Sequence, residues 1–315
     1  MDDISKLLNA PKPYLTDGGF ETWMFFVEGF EAPAFAALVL MDDAAAREKM
    51  QAYFERFLGM AERAGTGYVL DTNTWRGCLS WAERLGVSEE KLLGLTRDAV
   101  GFAHDIRAKW ATRVNPIVVN GVVGPAGDGY DAAHAPDADR AELMHAPQIR
   151  VLAESGVDMI SAITMTNSAE AMGIARAVTN EGLSSVISFT VETDGRLPSG
   201  ETLADAIRAT DAATDRAPLY FMVNCAHPEH FQDVLAEDQD WRWRIGGVRA
   251  NASRKSHAEL DQATTLDDGN PQEFGELHAT LARLLPNLRV VGGCCGTDHR
   301  HVECVSHRLH GKLAA

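Results

Sequence analysis

Two adjacent cysteines, Cys294 and Cys295, follow the β-branched run in "LRVVGGCCGTDHRH", and Cys225 ends the apolar run "LYFMVNC". The adjacent pair could form a disulfide, remain as two inert buried thiols, or supply two ligands to one metal ion. A disulfide between neighbours needs a strained ring and an oxidising compartment, and five cysteines in 315 residues do not resemble a secreted disulfide framework. Free cysteines are often buried, so inert packing remains an alternative to metal binding.

The pattern along the chain indicates which elements position these cysteines. A short apolar run, a turn and a longer amphipathic segment recur eight times, and no Pro/Gly/Ser-rich linker divides them. Strands are predicted at Tyr14–Thr16, Tyr68–Asp71, Pro116–Gly121, Asp158–Ile163, Ser185–Val191, Leu219–Asn224, Arg244–Val248 and Arg289–Gly292. Helices are predicted at about Ala44–Ala64, Ser88–Thr112, Asp139–Ser155, Ser168–Asn180, Thr202–Asp215, Glu229–Ala236, Pro271–Leu284 and Asp298–Leu309. Eight alternations predict an α/β fold, a single (β/α)8 TIM barrel, with a doubly wound open sheet as the alternative.

In such a barrel the ends of strands 6 and 8 share one rim, where the loops after strands carry the chemistry. Those strand ends are about 10 Å apart, and side chains that point inward can meet on one ion. Gly292, Gly293 and Gly296 give the backbone the freedom to turn both adjacent thiols the same way. Three thiolates favour zinc, and three protein ligands leave one coordination position open, which is typical of catalytic zinc.

Other potential ligands stand close by in the sequence. His227 lies in "NCAHP", and His299 and His301 lie in "GTDHRH". We interpret each as a polar residue of a loop or of a helix start, with His227 as the alternative fourth ligand. The two remaining cysteines are interpreted as non-ligating: Cys78 and Cys304.

Composition and charge exclude several classes of function. The chain is 45% hydrophobic and carries a formal net charge of -16, with Lys and Arg scattered along it, so nucleic acid and membrane surfaces are not expected partners. The first residues lack the cationic start and apolar core of a signal peptide, and the longest apolar stretch, around Ala32–Met41, is too short to span a bilayer. We predict one domain over residues 1–315 and a cytoplasmic protein that acts on small molecules; the oligomeric state stays open.

The motifs resemble those of the zinc-dependent homocysteine S-methyltransferase family. This family includes the betaine and S-methylmethionine enzymes and the homocysteine-binding module of cobalamin-dependent methionine synthase. The resemblance runs from "TDGGFET" at the first strand to "GGCCGTDHRH" near the end, and "VNC" followed by "GGCCG" is its most specific part. "DTNTW" and "GGVRANAS" resemble the segments after strands 2 and 7. The resemblance implies a (β/α)8 barrel in which Cys225, Cys294 and Cys295 hold Zn2+ and the acceptor thiol becomes the fourth ligand.

The reaction that the family implies is intelligible from thiol chemistry. A free alkyl thiol has a pKa near 8.5, and coordination to zinc deprotonates it, which gives a nucleophile at neutral pH. A methyl group on a cationic sulfur or nitrogen is then displaced in line, and no separate general base is needed. We therefore expect methyl transfer from an onium donor such as S-methylmethionine to homocysteine, giving methionine.

Residues of the first loop are expected to hold the acceptor. Asp17 matches an acidic residue of the family, and the resemblance places it near the acceptor's amino group, while Gly18 and Gly19 are expected to let substrate approach the backbone. Family members commonly carry a Glu after strand 4 that holds the homocysteine ammonium, and this chain has Ile163 there. We predict that Glu21 supplies the missing charge; acceptance of another thiol is the alternative.

The donor is expected to meet aromatic and polar residues of the same rim. Trp75 stands where many relatives have an aromatic residue, and an aromatic face attracts a cationic methyl group. Arg249 and Asn251 are interpreted as ordering either the acceptor carboxylate or the loop. Asn224, next to Cys225, is expected to support the site by hydrogen bonding. Packing is an equal or stronger interpretation for the first-loop aromatics: Trp23, Phe25 and Phe26.

Two other classes of function remain open at this point. A zinc hydrolase would place water in the open position, but three thiolates make that water a poor acid and no acid/base pair accompanies it. A non-catalytic barrel that only binds zinc or a thiol is the third possibility, and Ile163 favours it because the expected carboxylate is missing.

Overall fold

The computed structural model describes residues 2–236 and 239–311. Its eight parallel strands pair in chain order, and the first pairs with the eighth to close a barrel. The strands are β1 Tyr14–Leu15, β2 Tyr68–Asp71, β3 Ile117–Val123, β4 Met159–Met165, β5 Ser185–Phe189, β6 Phe221–Asn224, β7 Ile245–Ala250 and β8 Val290–Gly293. The predicted α/β fold, a single (β/α)8 TIM barrel, is confirmed, and the open sheet is wrong.

Helices surround the barrel and connect its strands. They are α1 Asp3–Leu8, α2 Phe20–Thr22, α3 Ala44–Ala64, α4 Ala82–Leu85, α5 Glu89–Trp110, α6 Ala138–Glu154, α7 Ser168–Asn180, α8 Leu203–Ala213, α9 Pro228–Ala236, α10 His257–Asp261, α11 Pro271–Leu284 and α12 His299–His310. Every predicted strand and helix boundary lies within two residues of the observed one. The short helices α1, α2, α4 and α10 were not predicted, because such segments are too brief to show a clear apolar period.

Local sequence explains where the long helices begin and end. The side chain of Asp43 accepts hydrogen bonds from the N–H groups of Ala45 and Ala46, so it caps the N-terminus of α3. Gly65 ends the same helix in a left-handed conformation, with φ 63°. None of the helices within the described residues is both long and apolar enough to cross a membrane.

Two apolar clusters support the strands. The larger one lies between the barrel and its helices, and the smaller one fills the barrel interior. Leu7 of α1 belongs to the interior cluster together with Tyr14 of β1, so α1 packs against the barrel end where the strands begin. Because that end is filled by apolar side chains, the open end of the barrel is the rim formed by the carboxyl ends of the strands.

Candidate active site

The three cysteines predicted from the sequence meet on this rim. Their Sγ atoms all lie within 4.8 Å of one another, and those of Cys225 and Cys295 are 3.6 Å apart. All five cysteines are free thiols, so the adjacent pair forms no disulfide. Cys225 is buried, whereas Cys294 and Cys295 are partly exposed and line a cavity. The thiols are therefore within reach of a ligand, unlike thiols packed inside a core.

Backbone hydrogen bonds fix the segments that carry the cysteines. Cys225 has φ 56°, a left-handed conformation that residues with side chains rarely adopt, and its N–H donates to the carbonyl of Arg249 over 3.1 Å. The N–H of Cys294 donates to the carbonyl of Ala250 over 2.8 Å. Gly296 is also left-handed, with φ 78°, which agrees with its predicted role in the turn. Strand β7 thus holds both cysteine segments in register.

The geometry of the three sulfurs fits zinc. Zn–S bonds of about 2.3 Å in a tetrahedral site place neighbouring sulfurs about 3.8 Å apart, and the observed spacing of 3.6 Å to at most 4.8 Å brackets this value. Within residues 2–236 and 239–311, no other group of three His, Cys, Asp or Glu side chains brings its ligand atoms so close together. A soft donor set of this kind selects zinc over hard cations.

Hydrogen bonds among the thiols favour negative charge on Cys294 and raise the pKa values of Cys225 and Cys295. The pKa of Cys294 lies well below its ordinary value, because the thiols of Cys225 and Cys295 donate hydrogen bonds to its sulfur. The phenol oxygen of Tyr130 lies 3.1 Å from Sγ of Cys225. Asn224 Nδ2 lies 3.9 Å from Sγ of Cys294. The sulfurs are therefore surrounded by groups that can donate hydrogen bonds to thiolates.

Both polar atoms of the Asn224 side-chain amide form hydrogen bonds. Its Oδ1 accepts from the hydroxyl of Ser188 over 2.6 Å and from the N–H of Thr164 over 3.0 Å. Its Nδ2 donates to the hydroxyl of Thr164 over 2.9 Å. The side chain is fully buried in the barrel beside the cysteines, so it orients the base of the site.

The guanidinium of Arg249 contacts carboxylates and carbonyl groups of the protein itself. It forms ion pairs with Asp17 and Asp71 and donates to the carbonyl oxygens of Gly18 at 3.3 Å and Gly293 at 3.1 Å. Burial alone would lower its pKa, but the two carboxylates raise the pKa above the ordinary value, so Arg249 stays charged. Burial raises the pKa of Asp17 to about 7, and the charge of Arg249 opposes this shift. This network ties β7 to the ends of β1 and β2.

A cavity of about 570 Å³ opens above the cysteines and contains the predicted substrate residues. Glu21 lines it without an ion pair to any described residue, and burial raises the pKa of its carboxyl to about 7. Ile163 also lines the cavity, and its carbonyl accepts from Nε1 of Trp75 over 3.2 Å. A carboxyl without a cationic partner and an apolar Ile163 therefore face the same space.

Gly18 and Gly19 lie where the first loop packs on the cysteine loop. A Cβ on Gly18 would approach the carbonyl oxygen of Thr297 to 2.8 Å, and one on Gly19 would approach that of Cys294 to 2.5 Å. Any side chain at these positions would push the loops apart. The two glycines also line the cavity, so their predicted contact with substrate remains a prediction.

Comparison with known proteins identifies the family. A family model described as "Homocysteine S-methyltransferase" matches residues 14–309. The chain belongs to the homocysteine S-methyltransferase family. The match runs from β1 into α12, so the resemblance read from the sequence and the enzyme class that it implies are confirmed at the level of the family.

Curated relatives of this homocysteine S-methyltransferase family member are distant. "Homocysteine S-methyltransferase 1" of Arabidopsis thaliana is 24% identical over 174 residues, which are 54% of this chain and 52% of the relative. The match thus spans about half the length of the Arabidopsis protein. "Selenocysteine Se-methyltransferase" of Brassica oleracea var. italica is 22% identical over 264 residues, 76% of this chain and 75% of the relative.

Solved structures agree with the barrel. The metallated form of the homocysteine methyltransferase MmuM from Escherichia coli has a TM-score of 0.72, and its oxidized form has a TM-score of 0.74. Each is 20% identical in sequence, and the likeness covers 98% of this chain and 100% of the MmuM chain. At this identity the likeness shows the fold.

The three histidines that stand near the cysteines in the sequence contact loops and the starts of helices. Nδ1 of His227 accepts from the N–H of Glu229 at the start of α9, over 3.3 Å. His301 takes part in a capping box with Asp298 at the start of α12, and the ring of His299 packs edge-on against Trp23 at 5.9 Å. None of the three belongs to the sulfur cluster. The side chains therefore match the loop and helix-start interpretation.

Several residues of the site were not predicted from the sequence. Asp71 ends β2 just as Asp17 follows β1, so its place at a strand end was a usable signal. Tyr130 and Arg76 also line the cavity, but no period or spacing marks them. His257 of α10 stacks on the Tyr130 ring at 4.1 Å and contacts the carbonyl oxygen of Cys225 at 2.7 Å. These loop contacts depend on tertiary packing.

Proposed function

We propose that this protein is a zinc-dependent S-methyltransferase that moves a methyl group from an onium donor, such as S-methylmethionine, to homocysteine, giving methionine. The observation that carries the proposal is the cluster of three free thiols at the base of a cavity in a barrel of this family. The cavity is large enough for two small molecules, since sites for drug-sized ligands begin at about 300 Å³.

Cys225, Cys294 and Cys295 would hold the zinc ion. Bound there, zinc would supply a Lewis acid that lets the acceptor's sulfur lose its proton near neutral pH. Within the protein, Tyr130 and Asn224 place hydrogen-bond donors beside the sulfurs of this cluster. These donors stabilise negative charge on the thiolates and fix their orientation.

The first loop would orient the amino acid part of the acceptor. Glu21 presents a carboxyl that forms no ion pair with a described residue, which suits the ammonium group of homocysteine. Asp17 lines the same wall, but its charge is shared with Arg249. Binding of an ammonium group would favour the ionised form of Glu21 and lower its pKa.

Arg249 acts on the site through other residues. Because its guanidinium is committed to Asp17, Asp71 and two carbonyl groups, we propose that it positions the rim; binding of the substrate carboxylate, the other role considered for it, stays a prediction. Trp75 remains the proposed wall of the donor pocket. The methyl donor and the thiol must align with the transferring carbon between them, and the cavity above the cysteines would hold both molecules.

A different thiol acceptor is the second candidate, and Ile163 is the observation that favours it. Its side chain is apolar and 8% exposed, so this position of β4 offers no carboxylate to an ammonium group. An acceptor without an amino group would then lose little binding free energy at this position. Whether Glu21 binds an ammonium group therefore distinguishes the two acceptors.

Metal content and methyl transfer test the proposed function together. Purified protein should hold about one zinc ion per chain, Cys295→Ala should lose it, and Cys304→Ala on α12 should keep it. Homocysteine should raise the number of sulfur neighbours seen by zinc X-ray absorption from three to four. A donor panel of S-methylmethionine, S-adenosylmethionine, betaine, dimethylsulfoniopropionate and methyltetrahydrofolate should include one that yields methionine. Full zinc retention in Cys295→Ala would contradict the three-cysteine site.

A further inference from the structure

Arg76 is a buried cation in the cavity wall whose acidic neighbours, Asp128 and Glu21, act on it from beyond ion-pair distance. Its side chain follows β2 and is 8% exposed, and no described carboxylate forms an ion pair with it. Its Nη1 donates to the carbonyl of Gly127 over 3.1 Å, whereas its buried Nε has no hydrogen-bond partner among the described residues. Burial lowers its pKa to about 10, so it is still charged at neutral pH. A buried, unpaired charge is costly unless a ligand compensates it.

Two indole rings hold the guanidinium in a fixed plane. Its Cζ lies 3.8 Å from the ring centroid of Trp75 and 3.7 Å from that of Trp81. Both rings are themselves anchored, since Nε1 of Trp75 donates to Ile163 and Nε1 of Trp81 donates to Pro125 over 3.0 Å. With both rings this close to Cζ, a ligand can approach only the edge of the guanidinium, and that edge is the part that binds a carboxylate bidentately.

We propose that Arg76 is a specificity-determining residue that binds a carboxylate group of the methyl donor. The donor is then a zwitterion that carries an onium centre and a carboxylate in one molecule. This inference rests on the proposed function and adds to it the residue that recognises the carboxylate of such a donor.

The position of Arg76 in the barrel assigns it to the donor and not to the acceptor. Strand β2, which precedes Arg76, stands four strands from β6, which precedes Cys225, so the loops that carry the two residues start on opposite sides of the closed barrel. The acceptor's sulfur must lie at the cysteines. In an in-line displacement the donor lies beyond the methyl group, on the side away from that sulfur. The far wall is the wall that contains Arg76.

The charges of the wall also favour a zwitterion over a simple cation. A guanidinium repels an onium group, and it already covers one face of Trp75, so that face is not open to a cationic methyl group. A carboxylate placed at the guanidinium edge removes this repulsion. Asp128 lines the same cavity without an ion pair to Arg76, and its charge opposes the effect of burial on the pKa of Arg76.

The reaction balances with this donor. A new bond forms between the acceptor's sulfur and the methyl carbon, while the bond from that carbon to the onium atom breaks and leaves its electron pair on that atom. The donor becomes a neutral sulfide or amine that still carries its carboxylate. The proton lost by the acceptor thiol goes to solvent, and no oxidant or reductant takes part.

Matched pairs of ligands test the inference by binding alone. Each pair differs in the carboxylate: S-methylmethionine and its amide, dimethylsulfoniopropionate and its amide, and betaine and choline. Calorimetry on the zinc-loaded protein without acceptor should show at least one acid that binds about ten- to a hundredfold more tightly than its partner, as expected for a charge-assisted hydrogen bond. Arg76→Met should abolish this preference and Arg76→Lys should reduce it. Arg113→Met removes an arginine that stacks on Trp110 at 3.9 Å outside the cavity and should leave the preference intact.

Three results would overturn the assignment. The first is equal binding of acid and partner in all three pairs to the wild-type protein, a comparison that does not depend on a variant's folding. The second is a preference that survives in Arg76→Met with a native circular dichroism spectrum. The third is a loss in Arg76→Met of the tighter binding of homocysteine over 3-aminopropanethiol, which would assign Arg76 to the acceptor's carboxylate. Absence of zinc or of methionine formation would contradict the proposed function instead.

Discussion

The phenol oxygen of Tyr130 lies 3.1 Å from Sγ of Cys225, and the ring that carries it stacks on His257. Nδ1 of His257 lies 3.0 Å from a carboxylate oxygen of Glu192, while its Nε2 contacts the carbonyl of Cys225. Burial raises the pKa of Tyr130 well above its ordinary value, so the phenol keeps its proton. A protonated phenol donates to a thiolate, and the loop after β3 thereby closes over the sulfur cluster.

Tyr130→Phe should therefore weaken zinc binding without removing it. Loss of a hydrogen bond to a metal-binding side chain lowers metal affinity by about tenfold or more. Competition with a chromogenic chelator measures this affinity. Tyr220→Phe is the matched control, because the Tyr220 hydroxyl is buried without a hydrogen-bond partner among the described residues. Equal zinc affinity in both variants would show that the Tyr130 contact does not act on the metal.

Arg249→Met should destabilise the protein strongly. The change leaves the carboxylates of Asp17 and Asp71 buried without their cation, and removal of one partner from a buried ion pair costs about 3–5 kcal/mol of unfolding free energy. Urea denaturation measures the loss. Arg113→Met breaks an exposed ion pair with Glu62 and should change stability much less. Similar losses in the two variants would contradict a structural role for the Arg249 network.

Most of the fold could be predicted because its signal repeats along the chain. Apolar runs such as 117–123 and 159–165 alternate with helices of clear period, and this order admits few topologies. The cysteines could be located because they end two of these strands, and the carboxyl ends of the strands share one rim. Arg76 could not, because nothing local distinguishes a partnerless cation from an exposed one; its state depends on Trp81 and on the loop after β3. The cytoplasmic location and the 1–315 domain boundary stay predictions.

Glu21→Gln should weaken the binding of homocysteine far more than the binding of an acceptor without an amino group. The carboxyl faces the cavity without an ion pair to a described residue, so it is available to an ammonium group. A charged hydrogen bond of about 1.5–3 kcal/mol corresponds to at least a tenfold rise in the dissociation constant for homocysteine. Calorimetry with homocysteine and with 4-mercaptobutyrate compares the two acceptors. Glu31→Gln, at an exposed position of the same loop, is the control. Equal weakening of both acceptors would assign Glu21 to loop structure.

His278 should make the protein less stable in mild acid. The ring is buried in α11, Nδ1 lies 2.9 Å from the carbonyl of Phe274, and Nε2 has no partner among the described residues. Burial lowers its pKa from 6.5 to about 4. Below pH 6.5 the unfolded chain binds a proton at this residue that the folded chain does not. The free energy of unfolding is therefore unaffected by protonation of His278 above pH 6.5 and falls as the pH drops towards 4.

The expected loss between pH 7.5 and pH 5 is about 2 kcal/mol from this residue. Urea denaturation at the two pH values measures it, and His278→Leu should shrink the difference in stability between them by this amount, whatever its effect on stability at either pH. His307→Leu, at an exposed position of α12, should leave the difference unchanged. Because the zinc site titrates equally in all three proteins, its contribution cancels in the comparison. An undiminished difference in His278→Leu would show that another group controls stability in this range.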